Sequence, residues 1–182
     1  MKVLNGQRYP TVTSSGIYGF FGDYRWLSNM YPSQIVWTDG YMYESSETIY
    51  QMEKLRGILS NDELVSIFHN LNGPQSKKEI KKYKHLMRPE WDAIKAGVMY
   101  DILYKKFTYS DDMKTKLLET NKLYLEESNN WKDTFWGKTY NTNIPMFDPQ
   151  NVGNGYNTLG ILLMSIRDRL VNEDIFGTLK YE

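Results

Sequence analysis

Glu44-Ser45-Ser46-Glu47-Thr48-Ile49-Tyr50-Gln51-Met52-Glu53-Lys54-Leu55-Arg56 is the stretch on which the reading of this chain turns. Two serines stand at its head, where a hydroxyl can accept a free helical N–H. Helix formers follow without proline or glycine, and Gly57 closes the run. As a helix, the stretch puts Glu47, Tyr50, Gln51 and Lys54 at spacings of three, four and seven, so an acid, a ring, an amide and an amine share one face. That face is too polar for ordinary core. It reads either as the wall of a ligand site or as a solvated face, where Glu47 complements the helix dipole and Lys54 meets water, and the solvated face is the commoner outcome of such a pattern. Ile49, Met52 and Leu55 are too irregular to choose between the two.

Composition narrows the classes. The 182 residues suit one domain with enough length to bury a core unaided. We expect an arm over 1–16, a domain over 17–172 with a long loop at 138–156, and a tail over 173–182. There is no cysteine, so a disulfide framework, a thiolate zinc site and a Cys nucleophile are excluded, and the two histidines, His69 and His85, argue against a multi-histidine metal site. No cofactor is expected. Twenty-two basic residues balance twenty-two acidic ones, which argues against nucleic-acid binding by bulk charge. No apolar run of about twenty residues is present to span a bilayer, and the N-terminus lacks the apolar core of a signal peptide, so a soluble, cytoplasmic protein without a membrane partner is expected. Fifteen Tyr and five Trp fit either a site for flat ligands or core and surface packing.

Along the chain, Ile17–Phe21 and Gln34–Tyr43 are aromatic and β-branched, and Thr38-Asp39-Gly40 signals a hairpin. A small antiparallel sheet is expected there, with a loop at Trp26–Pro32. Asn61 or Asp62 is expected to cap a short helix through His69. Ser76 and Glu79 have capping-box spacing for the next one, which carries Lys77, Lys78, Lys81, Lys82 and Lys84. This cluster reads as a solvated face ahead of a phosphate site. Pro89-Glu90 opens a core helix with Trp91, Ile94, Val98, Met99, Ile102, Leu103 and Phe107 on its apolar stripe, and Ser110 opens another with Met113, Leu117 and Leu118 inward. Asp133, three residues before Trp136-Gly137, places a carboxylate and an indole on one turn. Gly153 and Gly155 lead into a last helix striped by Leu159, Leu162, Leu163, Ile166 and Leu170. A glycine-rich turn into a helix can hold phosphate, but without a strand and crossover unit it is no dinucleotide fingerprint.

The order of these pieces resembles the NADAR superfamily, also called the YbiA-like family. The resemblance rests on Ser28-Asn29, on Tyr43 with Ser46-Glu47 and Tyr50-Gln51 to Lys54, and on Trp91 with Val98-Met99 and Lys106-Phe107. Leu117-Leu118-Glu119-Thr120, Leu125 with Glu127, Asp133 with Phe135-Trp136-Gly137, and Asn157-Leu159-Gly160 to Leu162-Leu163-Met164 with Arg167 complete it, so it covers about residues 18 to 170. It implies a mainly α fold with a small antiparallel β element (α+β). It also implies an N-glycosidase acting on nucleotide-like substrates. Two substrate classes go with the family: phosphoribosylamino-pyrimidine intermediates of riboflavin biosynthesis, and ADP-ribose on guanine, including guanine in DNA.

Position by position, the resemblance nominates Glu47 as the main catalytic carboxylate, with Lys54 and Asp133 beside it in the catalytic set. Trp91 and Trp136 become pocket residues, and Asn29, Gly137, Asn157 and Arg167 support the ligand or its wall. Tyr50 and Gln51, on the face of Glu47 and Lys54, join the substrate-binding set. The sequence departs from the family pattern at Thr48-Ile49 after the Glu, at Lys138 after Trp-Gly, and in the long loop over 138–152, which bears on substrate choice. Cleaving an N-glycosidic bond builds an oxocarbenium-like sugar, which a carboxylate near the anomeric carbon stabilises while it activates water. Tryptophan rings can stack on a base at about 1 to 3 kcal/mol each. Lys54 reads first as an electrostatic contact and second as a Schiff-base nucleophile. The leading expectation is removal of ADP-ribose from guanine. Hydrolysis of a riboflavin precursor and a silent ADP-ribose or nucleotide binder are the alternatives, and the zero net charge disfavours a DNA-binding adaptor.

Overall fold

The computed structural model of the chain describes residues 2–4, 7–141 and 143–178. Compactness divides the chain into two units, residues 29–115 and residues 1–28 with 116–182. The second of these begins with four short strands, β1 (Lys2–Leu4), β2 (Gln7–Tyr9), β3 (Thr11–Val12) and β4 (Gly16–Tyr18), followed by a 3₁₀ turn over Gly22–Leu27. The stretch expected as an arm carries β1 to β3 among its described residues, with β1 and β2 antiparallel.

The continuous unit, 29–115, opens with the expected hairpin. β5 (Ile35–Val36) pairs antiparallel with β6 (Met42–Tyr43), Ile35 opposite Tyr43. Gly40 takes φ 85° at the turn, a conformation that costs glycine little. Ser45 then caps α1 (Ser46–Glu53) by accepting the Thr48 N–H at 3.3 Å, and Gly57 at φ 81° lies just past its end. Two caps differ from expectation. Ser60, not Asn61 or Asp62, caps α2 (Asn61–Phe68) through a box with Glu63, and Asn72, not Ser76, caps α3 (Gly73–Glu79) through a box with Gln75. In both cases the true cap lies nearer the chain break, where the first N–H groups need acceptors. Ser76 is buried and donates to the Gly73 carbonyl at 2.8 Å. Lys77, Lys78, Lys81, Lys82 and Lys84 are all exposed. α4 (Trp91–Tyr109) buries Trp91, Met99, Ile102, Leu103, Lys106 and Phe107, and α1 packs against α3 and α4. The core of this unit gathers Ile35, Tyr43, Ile49, Met52, Leu55, Leu64 and Phe68 as well, each fully enclosed.

α5 (Asp111–Glu119) carries the chain into the other unit. There β7 (Tyr124–Glu126) runs parallel to β4, with Ile17 opposite Leu125, and β4 pairs antiparallel with β3 on its other edge. The strands expected as one antiparallel sheet thus belong to two sheets, one of them with a parallel pair. β8 (Ser128–Asn129) pairs with β9 (Lys138–Thr139), and α6 (Thr158–Thr178) packs on β7. Asn151, 5 % exposed, draws the segment between β9 and α6 together: its side chain accepts from the Asn141 N–H and donates to the carbonyls of Asn141, Ile144 and Pro145. The fold class is α+β. No helix of the described residues is long and apolar enough to cross a membrane.

Candidate active site

Helix α1 is buried along its whole length, which removes the solvated reading of its polar face. Glu47 is 7 % exposed and Gln51 3 %, and a carboxylate is enclosed to that degree only when it has partners. Glu47 Oε1 accepts from Gln51 Nε2 at 2.6 Å, one helical turn away. The Glu47 N–H donates to the Asn29 carbonyl at 3.0 Å, which fixes the helix start against the Asn29 loop. Gly73, the first residue of α3, closes on the stem of this acid. A Cβ there would stand 2.8 Å from Met30 Sδ, 3.2 Å from Ser45 Oγ and 3.3 Å from Glu47 Cβ, so only a hydrogen fits without displacing a neighbour.

At the other end of α1, the Lys54 amine lies 5.0 Å from the centroid of the Tyr50 ring and 5.9 Å from that of Trp91. The rings themselves are 5.0 Å apart and inclined at 57°, cation–π distances that favour the charged amine. Burial nevertheless pulls the Lys54 pKa below its usual value. The charge of Glu47 opposes the fall, those of Lys77 and Lys95 add to it, and Asp92 again opposes it. Glu47 and Lys54 are therefore electrostatically coupled along one helix.

A buried ion network holds this end in place. Glu53, 6 % exposed, accepts from Trp37 Nε1 at 2.7 Å and from Arg56 Nε and Nη2 at 3.0 and 2.8 Å. Arg56 also reaches Asp39 at 3.3 Å, and Asp39 accepts the Tyr43 hydroxyl at 2.9 Å. Burial and the Asp39 carboxylate push the Tyr43 hydroxyl pKa upward. Arg88 ties α1 to α4: its N–H donates to the Lys54 carbonyl at 3.0 Å, its Nη1 to the Glu53 carbonyl at 3.3 Å, and its own carbonyl accepts the Trp91 N–H at 3.1 Å. Lys54 and Trp91 are thus positioned by the same residue.

The remaining expected residues lie in the other unit, Asp133, Trp136, Gly137 and Asn157 near one another in the chain fold and Arg167 on α6. Asp133 Oδ1 accepts the Trp136 N–H at 3.0 Å, so the carboxylate meets the backbone of that tryptophan, and the indole stands edge-on to Phe135 at 4.9 Å. Asn129 holds the Asp133 main chain from both sides, at 2.8 and 3.2 Å. A Cβ on Gly137 would run into the Glu127 carbonyl and Asn129 Nδ2, which is a steric reason for glycine there. Asn157 accepts from the Glu127 N–H at 3.0 Å and donates to the Leu125 carbonyl at 2.9 Å and to Tyr124 Oη at 3.1 Å. Arg167 Nη1 donates to Thr120 Oγ1 and the Leu123 carbonyl at 2.8 and 2.9 Å, while burial lowers its pKa.

Four residues outside the expected set matter to these clusters. Gly73, Glu53 and Arg88 act in the first. Glu126, 1 % exposed, anchors the second by accepting from Ser128 Oγ at 2.6 Å and from the Tyr140 hydroxyl at 2.7 Å, with the Lys138 amine 3.4 Å away. Burial and that bond push the Tyr140 hydroxyl pKa up. A signal existed only for Gly73, between Asn72 and Pro74. A half-open cleft of about 340 Å³, walled by Ile17, Tyr24, Trp26, Lys116, Thr120 and Leu123 among others, includes none of the α1 residues.

This chain belongs to the NADAR family: residues 19–171 match the NADAR domain. The NMR structure of the Escherichia coli protein YbiA shares the fold at a TM-score of 0.70 and 26 % identity, over 93 % of both chains. An N-glycosidase of Nostoc punctiforme is 29 % identical over 157 residues, 85 % of this chain and 91 % of that one. A riboflavin biosynthesis protein of Vibrio vulnificus is 28 % identical over 144 residues, 79 % of this chain. The matching region is only 35 % of that larger protein.

Proposed function

We propose that the chain is an N-glycosidase that hydrolyses the bond between a sugar and a base in a nucleotide-like substrate, with ADP-ribosylated guanine as the first candidate. The observation that carries this reading is the buried Glu47 carboxylate on α1, held by Gln51 and coupled to Lys54 beside the Tyr50 and Trp91 rings. Family membership and the N-glycosidase names of its relatives support the reaction class.

In this reading the C1′–N bond breaks with its electron pair leaving on the base, which takes up a proton. Glu47 stabilises the positive charge growing at C1′ and accepts a proton from the water whose oxygen bonds to that carbon. Tyr50 and Trp91, inclined to one another around the Lys54 amine, would border a ring of the substrate. Lys54 stands about 10 Å from Glu47, seven residues along the helix, and suits a phosphate or ring oxygen at the far end of the sugar. Asp133 keeps the place in the catalytic set that the resemblance implies, and Trp136, Gly137, Asn157 and Arg167 keep the supporting roles that it implies. DNA bearing the modified base is a candidate partner.

The Vibrio relative named for riboflavin biosynthesis favours a second substrate, a phosphoribosylamino-pyrimidine. Incubation with each substrate, scored by release of ADP-ribose or of sugar phosphate, separates the two. Glu47→Gln is expected to abolish turnover with the fold retained, and full activity in that variant would sink the assignment. Tight ADP-ribose binding without cleavage of any glycoside would make the chain a binder instead.

A further inference from the structure

The chain holds three Asn-Gly pairs, Asn5-Gly6, Asn72-Gly73 and Asn154-Gly155. In such a pair the main-chain nitrogen of the glycine can attack the side-chain carbonyl carbon of the asparagine, because no Cβ on the glycine hinders the approach. Asn5-Gly6 lies outside the described residues, and the other two pairs have opposite surroundings. Asn72 is held by its capping box: Oδ1 accepts the Gln75 N–H at 2.9 Å, and the Asn72 N–H donates to Gln75 Oε1 at 2.9 Å. Gly73 beside it is buried against Met30, Ser45 and Glu47. Asn154 is exposed, and its side chain makes no hydrogen bond among the described residues. Only its main chain is engaged, the N–H donating to the Thr139 carbonyl and the carbonyl accepting the Thr139 N–H, both at 2.9 Å. The Gly155 N–H has no acceptor among the described residues either. Both reacting groups of Asn154-Gly155 are therefore unengaged, whereas at Asn72 the cap must open first.

We propose that Asn154 is a site of spontaneous deamidation, and that its conversion loosens the main chain around Gly137. The Gly155 nitrogen bonds to Asn154 Cγ and gives up its proton. The Cγ–Nδ2 bond breaks with its electron pair on nitrogen, which takes that proton and leaves as ammonia. Water then opens the cyclic imide. Opened at Cγ, it yields an aspartate; opened at the main-chain carbonyl, it yields an isoaspartate, whose chain runs on through Cβ and Cγ. Both products carry a carboxylate that the parent lacks, and the isoaspartate lengthens the main chain between 154 and 155 by one C–C bond, about 1.5 Å. Hydrogen bonds fix the register on both sides of that point. Before it stands the pair between Thr139 and Asn154; after it the Tyr156 N–H donates to the Thr134 carbonyl at 2.8 Å and the Asn157 N–H to the Gly137 carbonyl at 3.3 Å. Gly155 has no slack to take up the extra length, since even a Cβ there would run into the Gly137 carbonyl and stand 2.8 Å from that of Thr134. The longer link cannot keep both sets of bonds, so one of them opens.

The test is storage of the folded full chain in mildly alkaline buffer, with samples taken over time for peptide mass mapping and for isoaspartate detection. Asn154 is expected to gain the mass difference between an amide and an acid at least about tenfold faster than Asn72, because the capped side chain is held away from the attacking nitrogen. Hydrogen exchange at the Thr139 and Tyr156 amides should quicken as isoaspartate accumulates. Asn154→Gln, whose longer side chain closes a ring less readily, should show neither change at that position over the same period. Equal rates at Asn72 and Asn154 would overturn the inference, as would an Asn154 that stays intact while a free peptide of residues 151–157 converts. Conversion with unaltered exchange at both Thr139 and Tyr156 would overturn the loosening around Gly137.

Discussion

Lys106 is expected to make the stability of this protein rise with pH between about 7 and 10.5, a window well above the one in which surface carboxylates titrate. It lies on α4 with 1 % of its side chain exposed, its amine 5.1 Å from the Phe107 ring centroid and 5.8 Å from that of Tyr31. Burial pushes its pKa down from 10.5 to about 7; the rings favour the charged form without outweighing the loss of water. The unfolded chain holds this proton up to the ordinary value while the folded chain releases it near 7, so between those limits the unfolded state binds more protons and stability rises with pH. The fall from 10.5 to about 7 corresponds to a penalty of about 5 kcal/mol, present in full below pH 7 and gone above the ordinary pKa. At about pH 6 almost the whole penalty applies, and at about pH 9 about 2 kcal/mol remains. Lys106→Met keeps the volume and removes the charge. Its stability advantage over the parent, read from urea unfolding followed by circular dichroism, should shrink by about 2 to 3 kcal/mol between those two pH values. A difference that stays constant with pH, or grows, would refute the reasoning.

Gly73→Ala should lower the thermal midpoint modestly, by the equivalent of about 1 kcal/mol, because Met30 can swing away. Turnover should fall by more than that loss explains, since the Glu47 stem must also shift, and kcat measured well below the melting range checks this. Asn157→Ala removes three hydrogen bonds, one buried and two partly buried, that join the start of α6 to β7 and its flank, from a residue at φ 53°. It should cost about 3 kcal/mol in denaturant unfolding.

The helices were legible because their signals are local. Ser45 and Gly57 bracket α1, and the stripe from Trp91 to Phe107 announces α4. The caps of α2 and α3 show the limit of that reading: Asn61, Asp62 and Ser76 all have capping chemistry, and only the position of the preceding chain break selects Ser60 and Asn72. Pairing between strands distant in the chain was not legible. The sequence shows that residues 16–18 suit a strand, but their parallel partner at 124–126 is chosen by distant packing and has no local mark. The polar face of α1 was ambiguous for a related reason, because spacing places Glu47, Gln51 and Lys54 on one side without saying whether that side meets water. Only the packing of α1 into the unit removed the solvated reading. Glu53 and Arg88 escaped both routes: an acid and an arginine in a polar sequence look solvated until Trp37, Arg56 and the Lys54 carbonyl are found around them.

The parallel pairing of β4 with β7 has a bearing on how the chain acquires its structure. Ile17 and Leu125 are 108 positions apart (125 − 17), and everything between Asn29 and Thr115 belongs to a unit of its own. During synthesis the continuous unit can collapse as soon as its last helix has left the ribosome, whereas β4 must wait with one edge unmatched until β7 emerges. A folded insert shortens the effective loop that the late pairing has to close, so the early unit acts as a brace for the late one. Substitutions that slow the collapse of residues 29–115 would then prolong the exposure of an unpaired strand, and their first symptom would be aggregation in the cell instead of loss of activity in the purified protein.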